Sequence, residues 1–148
     1  MNALLHPTTT TPTDISAQAH VPLDRRIVLS GLWVTMLFVF AYVDIFAFWR
    51  ADVINGALTG TVPQTGFQIG QTFLALTTLY ILIPSLMVAG SLLLPYRVNR
   101  LANLALAGIY ALTIIGSMVG ETWAYYLIGS GVELMLLAAI VRVALRWR

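Results

Sequence analysis

Two residue types are missing from this chain of 148 residues, and charged residues of every kind are scarce. There is no cysteine, which excludes disulfides, thiolate metal sites, iron–sulfur clusters and thiol redox chemistry. There is also no lysine, which excludes a Schiff-base site. Charged residues make up 9% of the chain and apolar residues 59%, against about 25% and roughly 45–50% in soluble domains. This balance excludes a water-soluble globular protein and favours a chain whose solvent is lipid.

The groups that usually carry catalysis or cofactor binding are missing from the apolar part of the chain. The only histidines, His6 and His20, lie near the N-terminus, so no histidine pair within a membrane could hold a haem. There is no glycine-rich phosphate-binding motif, no Ser–His or Cys–His pairing and no basic–aromatic nucleic-acid surface. The sequence therefore predicts a protein that is not an enzyme, with no cofactor, no metal and no nucleic-acid partner.

What the chain does have is four long apolar runs, at about residues 27–48, 72–94, 101–119 and 123–141. At a rise of 1.5 Å per residue, each run covers about 28–35 Å, which matches a hydrocarbon core of about 30 Å. The runs lack the alternating polarity of barrel strands, and lipid offers no partner for open backbone groups. The sequence predicts an all-α integral membrane bundle of four transmembrane helices over residues 24–148.

The segment before the first run has a different composition. Residues 1–23 are rich in threonine and proline and have little to bury, which is typical of a disordered tail. No basic residue precedes Asp24, and no small-residue cleavage site follows the first run, so we do not expect a secretory signal.

The arginines predict how the helices are oriented. Arg50 lies in the loop after the first run, whereas the other seven flank the opposite ends of the helices: Arg25, Arg26, Arg97, Arg100, Arg142, Arg146 and Arg148. By the positive-inside rule, both termini and the 95–100 turn are expected in the cytoplasm. These arginines are also expected to attract anionic lipid headgroups.

Two acidic residues fall inside the predicted helices. Glu133 is expected near the middle of the bilayer, where a carboxyl group must face the bundle interior and be either neutral or paired. Tyr80 and Tyr110 lie at a similar depth, so we expect a hydrogen bond between Glu133 and one of them. Asp44 lies one turn from the end of its helix, where it could pair with Arg50 or line the lip of a cavity.

Proline and glycine predict where the helices bend and pack. Pro84 removes the amide that would bond the Tyr80 carbonyl, and that carbonyl is expected near the depth of Glu133. Gly116 and Gly120 form a GxxxG pair, which favours close helix packing within the chain or, alternatively, between copies in a homo-oligomer.

Several strings in the sequence resemble a known family. They are Leu94–Asn103 with its Pro-Tyr-Arg-Val-Asn-Arg turn, Tyr42–Ile45, Gly131–Glu133 and Ala144–Arg148. Over about residues 27–148 the chain resembles the uncharacterised bacterial family catalogued as domain of unknown function 6326, which has four membrane helices. The resemblance implies a place in the inner membrane of a bacterium. The resemblance implies that the following residues belong to the family's common pattern: Asp44, Arg97, Asn99, Arg100, Asn103 and Glu133.

The four residues of this set around the turn predict a lipid-facing structural role. Arg97 and Arg100 are expected to bind phosphates, and Asn99 is expected to cap the third membrane helix. Asn103 could bond across to a neighbouring helix or to the arginine side chains.

Two functions fit this sequence. The first is a non-enzymatic structural or accessory component of the membrane, alone or within a larger assembly. The alternative is a small proton-coupled transporter or channel in which Glu133, and Asp44 with it, binds protons. A polar cavity that reaches Glu133 would favour the alternative.

Overall fold

The computed structural model describes residues 23–63 and 65–146, and within them the regular structure is helical. The helices are α1 (Arg25–Ala47), α2 (Ala51–Thr59), α3 (Gln71–Leu93), α4 (Tyr96–Met118) and α5 (Ala124–Leu145). α1, α3, α4 and α5 are long and apolar enough to cross a membrane, which confirms the predicted all-α architecture with four spans. The predicted tail, apart from Leu23, lies outside the described residues, as do Trp147 and Arg148.

The surface of the bundle is apolar, as a lipid-facing surface must be. Large hydrophobic side chains are exposed on each of the four long helices, for example Phe38, Leu76, Leu112 and Met135. Exposing such a continuous apolar surface to water costs free energy, whereas exposing it to hydrocarbon does not. The exposed side chains therefore support the same conclusion as the helix lengths.

The helices pack as a ring in which one contact is weak. α1 packs between α3 and α5, and α4 packs on α5, but α3 and α4 touch along only a short stretch. The core is built from Leu29, Trp33 and Met36 of α1, together with Tyr110 of α4 and Leu137 of α5. A gap is therefore left between α3 and α4.

The helix ends differ from the predicted ones where polar residues flank the apolar runs. α4 begins at Tyr96, five residues before the predicted run, and α5 continues to Leu145. Because backbone hydrogen bonds form regardless of side-chain polarity, a helix continues past the point where its side chains stop being apolar. The predicted turn over 95–100 is thus only Leu94 and Pro95, and Pro95 is the N-cap of α4.

The segment between α1 and α3 is more ordered than a plain connector. The short helix α2 ends at Gly60, whose left-handed backbone (φ 72°) lets the chain turn. An isolated bridge between Thr61 and Gln68 then brings the chain back towards α3. This end of the bundle is called the α2 end below, and the opposite end is called the turn end.

The GxxxG pair packs against no other helix in the part of the chain that the structure describes. A side chain at Gly116 would meet nothing within 4 Å, and Gly120 lies beyond α4 with a left-handed backbone (φ 83°). The glycine that does allow close packing is Gly129 of α5, where an added Cβ would collide with Val43 of α1. Of the two expected uses of the pair, packing within the chain is therefore wrong.

Two of the arginines at the turn end bind the ends of helices. Arg25 donates to the Arg146 carbonyl, and Arg26 Nη1 donates to the Leu92 carbonyl at 3.2 Å. The last carbonyls of a helix have no partner within it, so these bonds satisfy groups that would otherwise be open. Arg25 and Arg26 thus tie the start of α1 to the ends of α5 and α3.

Candidate functional site

A cavity of about 660 Å³ lies inside the α2 end of the bundle. Its wall comes from α1, α3, α4 and α5, and Phe67 from the α2–α3 segment closes part of it. The acidic residues Asp44 and Glu133 both line it. The gap between α3 and α4 contributes the space, because the backbones of these two helices approach each other along only a short stretch.

Glu133 forms the inner part of the wall. It lies about 14 Å along α5 from Ala124 at 1.5 Å per residue, and it is only 4% exposed. Within the described part of the chain, its carboxyl group receives no hydrogen bond. The expected bond to a tyrosine is therefore wrong, since Tyr80 and Tyr110 have other partners.

Asp44 lies at the mouth of the cavity, where its side chain is exposed. It is near the end of α1 and lines the same cavity as Glu133. Of the two expected positions, the lip of a cavity is confirmed. The pairing with Arg50 is wrong, because that guanidinium is bound by Asp52 and Glu121.

The two tyrosines join α3 to α4 beside the cavity. The Tyr110 hydroxyl donates to the Tyr80 carbonyl, which Pro84 leaves without its helical amide partner. The Tyr80 hydroxyl in turn bonds Thr113 Oγ1 at 2.8 Å, and the two tyrosine rings lie with centroids 4.7 Å apart. Tyr80 also lines the cavity, so the residue whose carbonyl Pro84 leaves open lies beside the same space as Glu133.

The residues predicted around the turn divide into an outer and an inner pair. Arg97 is exposed and Arg100 is partly buried, which fits headgroup contact. Asn99 and Asn103 are fully buried, so the expectation that they face lipid is wrong. The reason is the early start of α4, which places both asparagines on its inner face.

The buried asparagines form a chain of hydrogen bonds at the turn end. Asn99 Nδ2 donates to the Ser91 carbonyl at 2.7 Å, and Asn103 Nδ2 donates to Asn99 Oδ1 at 2.7 Å. Trp33 Nε1 of α1 donates to Asn103 Oδ1 at 2.8 Å, which confirms the expected bond from Asn103 to another helix. Asn99 does not cap α4, because it lies within the helix and bonds back to α3.

An ion-pair cluster at the α2 end joins two connecting segments of the chain, and its central residue is Arg50. The Arg50 guanidinium is 5% exposed, binds both oxygens of Asp52 at 2.6 and 3.1 Å, and binds Glu121 Oε2 at 3.0 Å. It also lies 4.8 Å from the centre of the Trp123 ring. Glu121 Oε1 accepts the backbone N–H groups of Thr122 and Trp123 just before α5.

The sequence analysis missed this cluster, although a signal was present. Arg50 is the one arginine on its side of the predicted bundle, and both acidic residues of the adjacent loops lie on that side with it. A lone cation between two carboxylates at one interface could have been predicted to pair with both. The cluster ties the α1–α2 connection to the α4–α5 connection.

The pKa values of these groups follow from the pairing. Burial raises the pKa of Glu121, but the N–H groups of Trp123 and Thr122 and the Arg50 guanidinium outweigh it and hold the pKa below its ordinary value. The hydrogen bonds from Arg50 lower the pKa of Asp52, and Asp52 in turn raises the pKa of Arg50. The cluster is therefore fully charged at neutral pH.

We expect the fold to lose stability in acid through Glu121. A carboxylate whose pKa is lower in the folded state stabilises the fold above its unfolded pKa, and the contribution is lost as pH falls through the folded pKa. The loss should thus set in below the ordinary value of 4.5. Detergent unfolding at neutral pH and well below 4.5 should show a smaller acid-induced loss in Glu121→Gln than in the wild type. Equal acid sensitivity of the two proteins would contradict this.

The cavity offers carboxyl chemistry rather than metal coordination. Within residues 23–63 and 65–146, no group of three or more His, Cys, Asp or Glu side chains could hold a metal ion. Two carboxyl groups in a largely apolar space can instead take up and release protons or balance a positive charge.

Comparison with known proteins identifies a family. A family model described as "Family of unknown function (DUF6326)" matches residues 20–148, which confirms the resemblance seen in the sequence. No curated protein and no solved structure matches the chain.

Proposed function

Since the chain belongs to this family of unknown function, we propose a function from its own cavity: a small proton-coupled transporter. It would lie in a bacterial inner membrane with both termini in the cytoplasm, and it would move a solute without chemically changing it. The observation that carries this proposal is the cavity that reaches Glu133, whose wall is apolar apart from the carboxyl groups of Asp44 and Glu133 and several hydroxyl groups. Its volume of about 660 Å³ lies within the range of about 300–1,000 Å³ that is usual for small-molecule sites.

The bonding of Glu133 argues against a purely structural role. A carboxyl group within a bilayer costs several kcal/mol, and a structural carboxyl would offset that cost by bonding between helices. In the described part of the chain, hydrogen bonds between the long helices come from the tyrosines, Trp33 and the asparagines, and Arg25 and Arg26 bond the helix ends. Glu133 faces the cavity and stabilises no helix pair through a hydrogen bond.

Proton coupling follows from the electrostatics of such a site. When the cavity holds no other cation, two nearby carboxyl groups in an apolar space favour a bound proton, which removes the repulsion between them. A solute that replaces the proton as the partner of Glu133 releases it. Binding of solute and of proton thus become mutually exclusive, which is the requirement for exchange.

The test is solute-driven proton movement in proteoliposomes that contain a pH-sensitive dye. Three groups of solutes, cationic, anionic and neutral, are added separately, and the cations are quaternary so that they carry no protons themselves. We expect one group to drive proton movement through the wild-type protein. Glu133→Gln should reduce it to the rate of protein-free liposomes, because an amide cannot titrate.

A matched control makes the same chemical change away from the cavity. Asp24→Asn, at the N-cap of α1, keeps a good capping residue and should leave the movement unchanged. Helicity and detergent unfolding show whether each variant is folded. If no solute group drives proton movement through folded wild-type protein, the proposed function is wrong and the structural alternative is favoured.

The proposed orientation has its own test, helped by the absence of native cysteine. Leu58 on α2 and Val98 on α4 are 81% and 51% exposed and lie at opposite ends of the bundle. We expect Leu58→Cys to react with a membrane-impermeant thiol reagent in intact cells, and Val98→Cys to react only after the cells are lysed. The reverse pattern would invert the orientation.

The turn end is also proposed to contact anionic lipid. Arg97 is exposed there and Arg100 is partly exposed, so both guanidinium groups can reach phosphate oxygens. This contact would anchor the turn while the opposite end binds solute.

A further inference from the structure

We propose that the ligand of the cavity is a lipophilic organic cation, held between Asp44 and Glu133 and admitted from the bilayer through the gap between α3 and α4. The proposal rests on the transport function above and names its substrate class. It concerns a hydrophobic ammonium or related onium ion, not an inorganic cation.

The charge of the wall favours a cation. Asp44 and Glu133 line the cavity, and no basic side chain of the described residues lines it with them. The nearby Arg50 is bound by Asp52 and Glu121 and cannot neutralise them. Glu133 is more than nine-tenths buried, has no hydrogen-bond partner in the described chain and faces the cavity, so it is a buried acceptor that a ligand can satisfy.

The rest of the wall favours an organic ion. Aromatic rings of α1, α3 and α5, including Phe40, Tyr80 and Tyr126, line the same space. Aromatic faces attract cations and are the usual surroundings of quaternary ammonium ligands. A calcium ion, by contrast, takes six to eight oxygen ligands, far more than two carboxyl groups provide.

The position of the opening favours a lipophilic ligand. Thr77 of α3 and Thr113 and Ser117 of α4 line the cavity and are also exposed on the outside of the bundle. The gap between these two helices, which the Tyr80–Thr113 hydrogen bond crosses at one point, is therefore the lateral opening of the proposal. If the long helices span a membrane, the opening faces hydrocarbon, where only a ligand that partitions into lipid is present at high concentration.

The experiment compares two probes of the same shape and opposite charge. Equilibrium binding of tetraphenylphosphonium and of tetraphenylborate is measured on the full chain in lipid nanodiscs, with empty nanodiscs as the background. We expect saturable binding of the phosphonium only. Glu133→Gln and Asp44→Asn should each weaken phosphonium binding about tenfold or more, because each removes a carboxylate that attracts the cation in a poorly solvated site. Asp24→Asn should bind the phosphonium like the wild type.

Each outcome decides the proposal. Phosphonium binding that is unchanged in folded Glu133→Gln and Asp44→Asn, or equal binding of the borate, overturns it. Asp44 is exposed at the cavity mouth, so its variant remains informative if Glu133→Gln fails to fold. Ser117→Trp should slow phosphonium association if the lateral opening is the entry route, and an unchanged rate overturns that route.

The failure of this inference and the failure of the transport function give different results. If anionic or neutral solutes drive proton movement through the wild type but cations do not, transport stands and the cationic substrate is wrong. If the phosphonium binds through the two carboxyl groups but moves no protons, the site stands and proton-coupled transport is wrong.

Discussion

Arg50→Ala is expected to destabilise the fold by about 3 kcal/mol, the scale for removing one partner of a buried ion pair. The guanidinium is 5% exposed, and its partner Glu121 has a side chain only 8% exposed. Without Arg50, the Glu121 carboxylate keeps its two backbone N–H donors but loses its counter-charge. The α2 segment also loses its connection to the start of α5.

The exposed partner of Arg50 provides the matched control. Asp52 has a side chain 41% exposed, so Asp52→Asn removes a charge that water solvates well and should destabilise the fold much less than Arg50→Ala does. Unfolding in mixed detergent, monitored by helicity, gives both free energies. If Arg50→Ala is no less stable than Asp52→Asn, the buried pair with Glu121 does not hold this end together.

The apolar runs were sufficient to predict the helices. A backbone in lipid must form its hydrogen bonds within the same segment, so a long enough apolar run becomes a helix whatever other segments lie beside it. The early start of α4 was missed because Arg97 and Arg100 interrupt the apolar pattern before Leu101. Yet Asn99, Asn103, Ala107, Tyr110 and Ile114 repeat at helical spacing, and all of them are buried. Following that face backwards from Tyr110 would have placed both asparagines inside the bundle.

The cavity depends on which helices lie next to each other, and this cannot be seen in a single sequence. Glu133, Asp44 and Tyr80 could each be placed at a depth by counting residues, but their meeting depends on which helices are neighbours. α1 lies between α3 and α5, whereas α3 and α4, adjacent in sequence, hardly touch. Because small and large apolar residues occur on every face of these helices, the pattern favours no single pairing.

The tyrosine contact shows where local reasoning does reach tertiary structure. Pro84 determines that the Tyr80 carbonyl lacks its helical donor, whatever surrounds it. A buried carbonyl within lipid needs a donor from elsewhere, and the Tyr110 hydroxyl provides it. The need was predictable from sequence, whereas the donor's identity depended on the packing.

Asn103→Leu is expected to cost roughly 2 kcal/mol, because it leaves two buried polar groups without partners. Trp33 Nε1 would lose its acceptor and Asn99 Oδ1 would lose its donor, and all three side chains are fully buried. The average hydrogen bond between membrane helices is weaker, about 0.6 kcal/mol. The expected loss is larger here because no water reaches the groups that remain.

A double-mutant cycle separates this hydrogen bond from changes in packing. Trp33→Phe removes the N–H donor and keeps an aromatic ring, so in that background Asn103→Leu no longer leaves the indole unpaired. We expect the free-energy cost of Asn103→Leu to be smaller by about 1 kcal/mol in Trp33→Phe than in the wild type. Strictly additive effects of the two substitutions on detergent unfolding would mean that the Trp33–Asn103 bond does not stabilise the turn end.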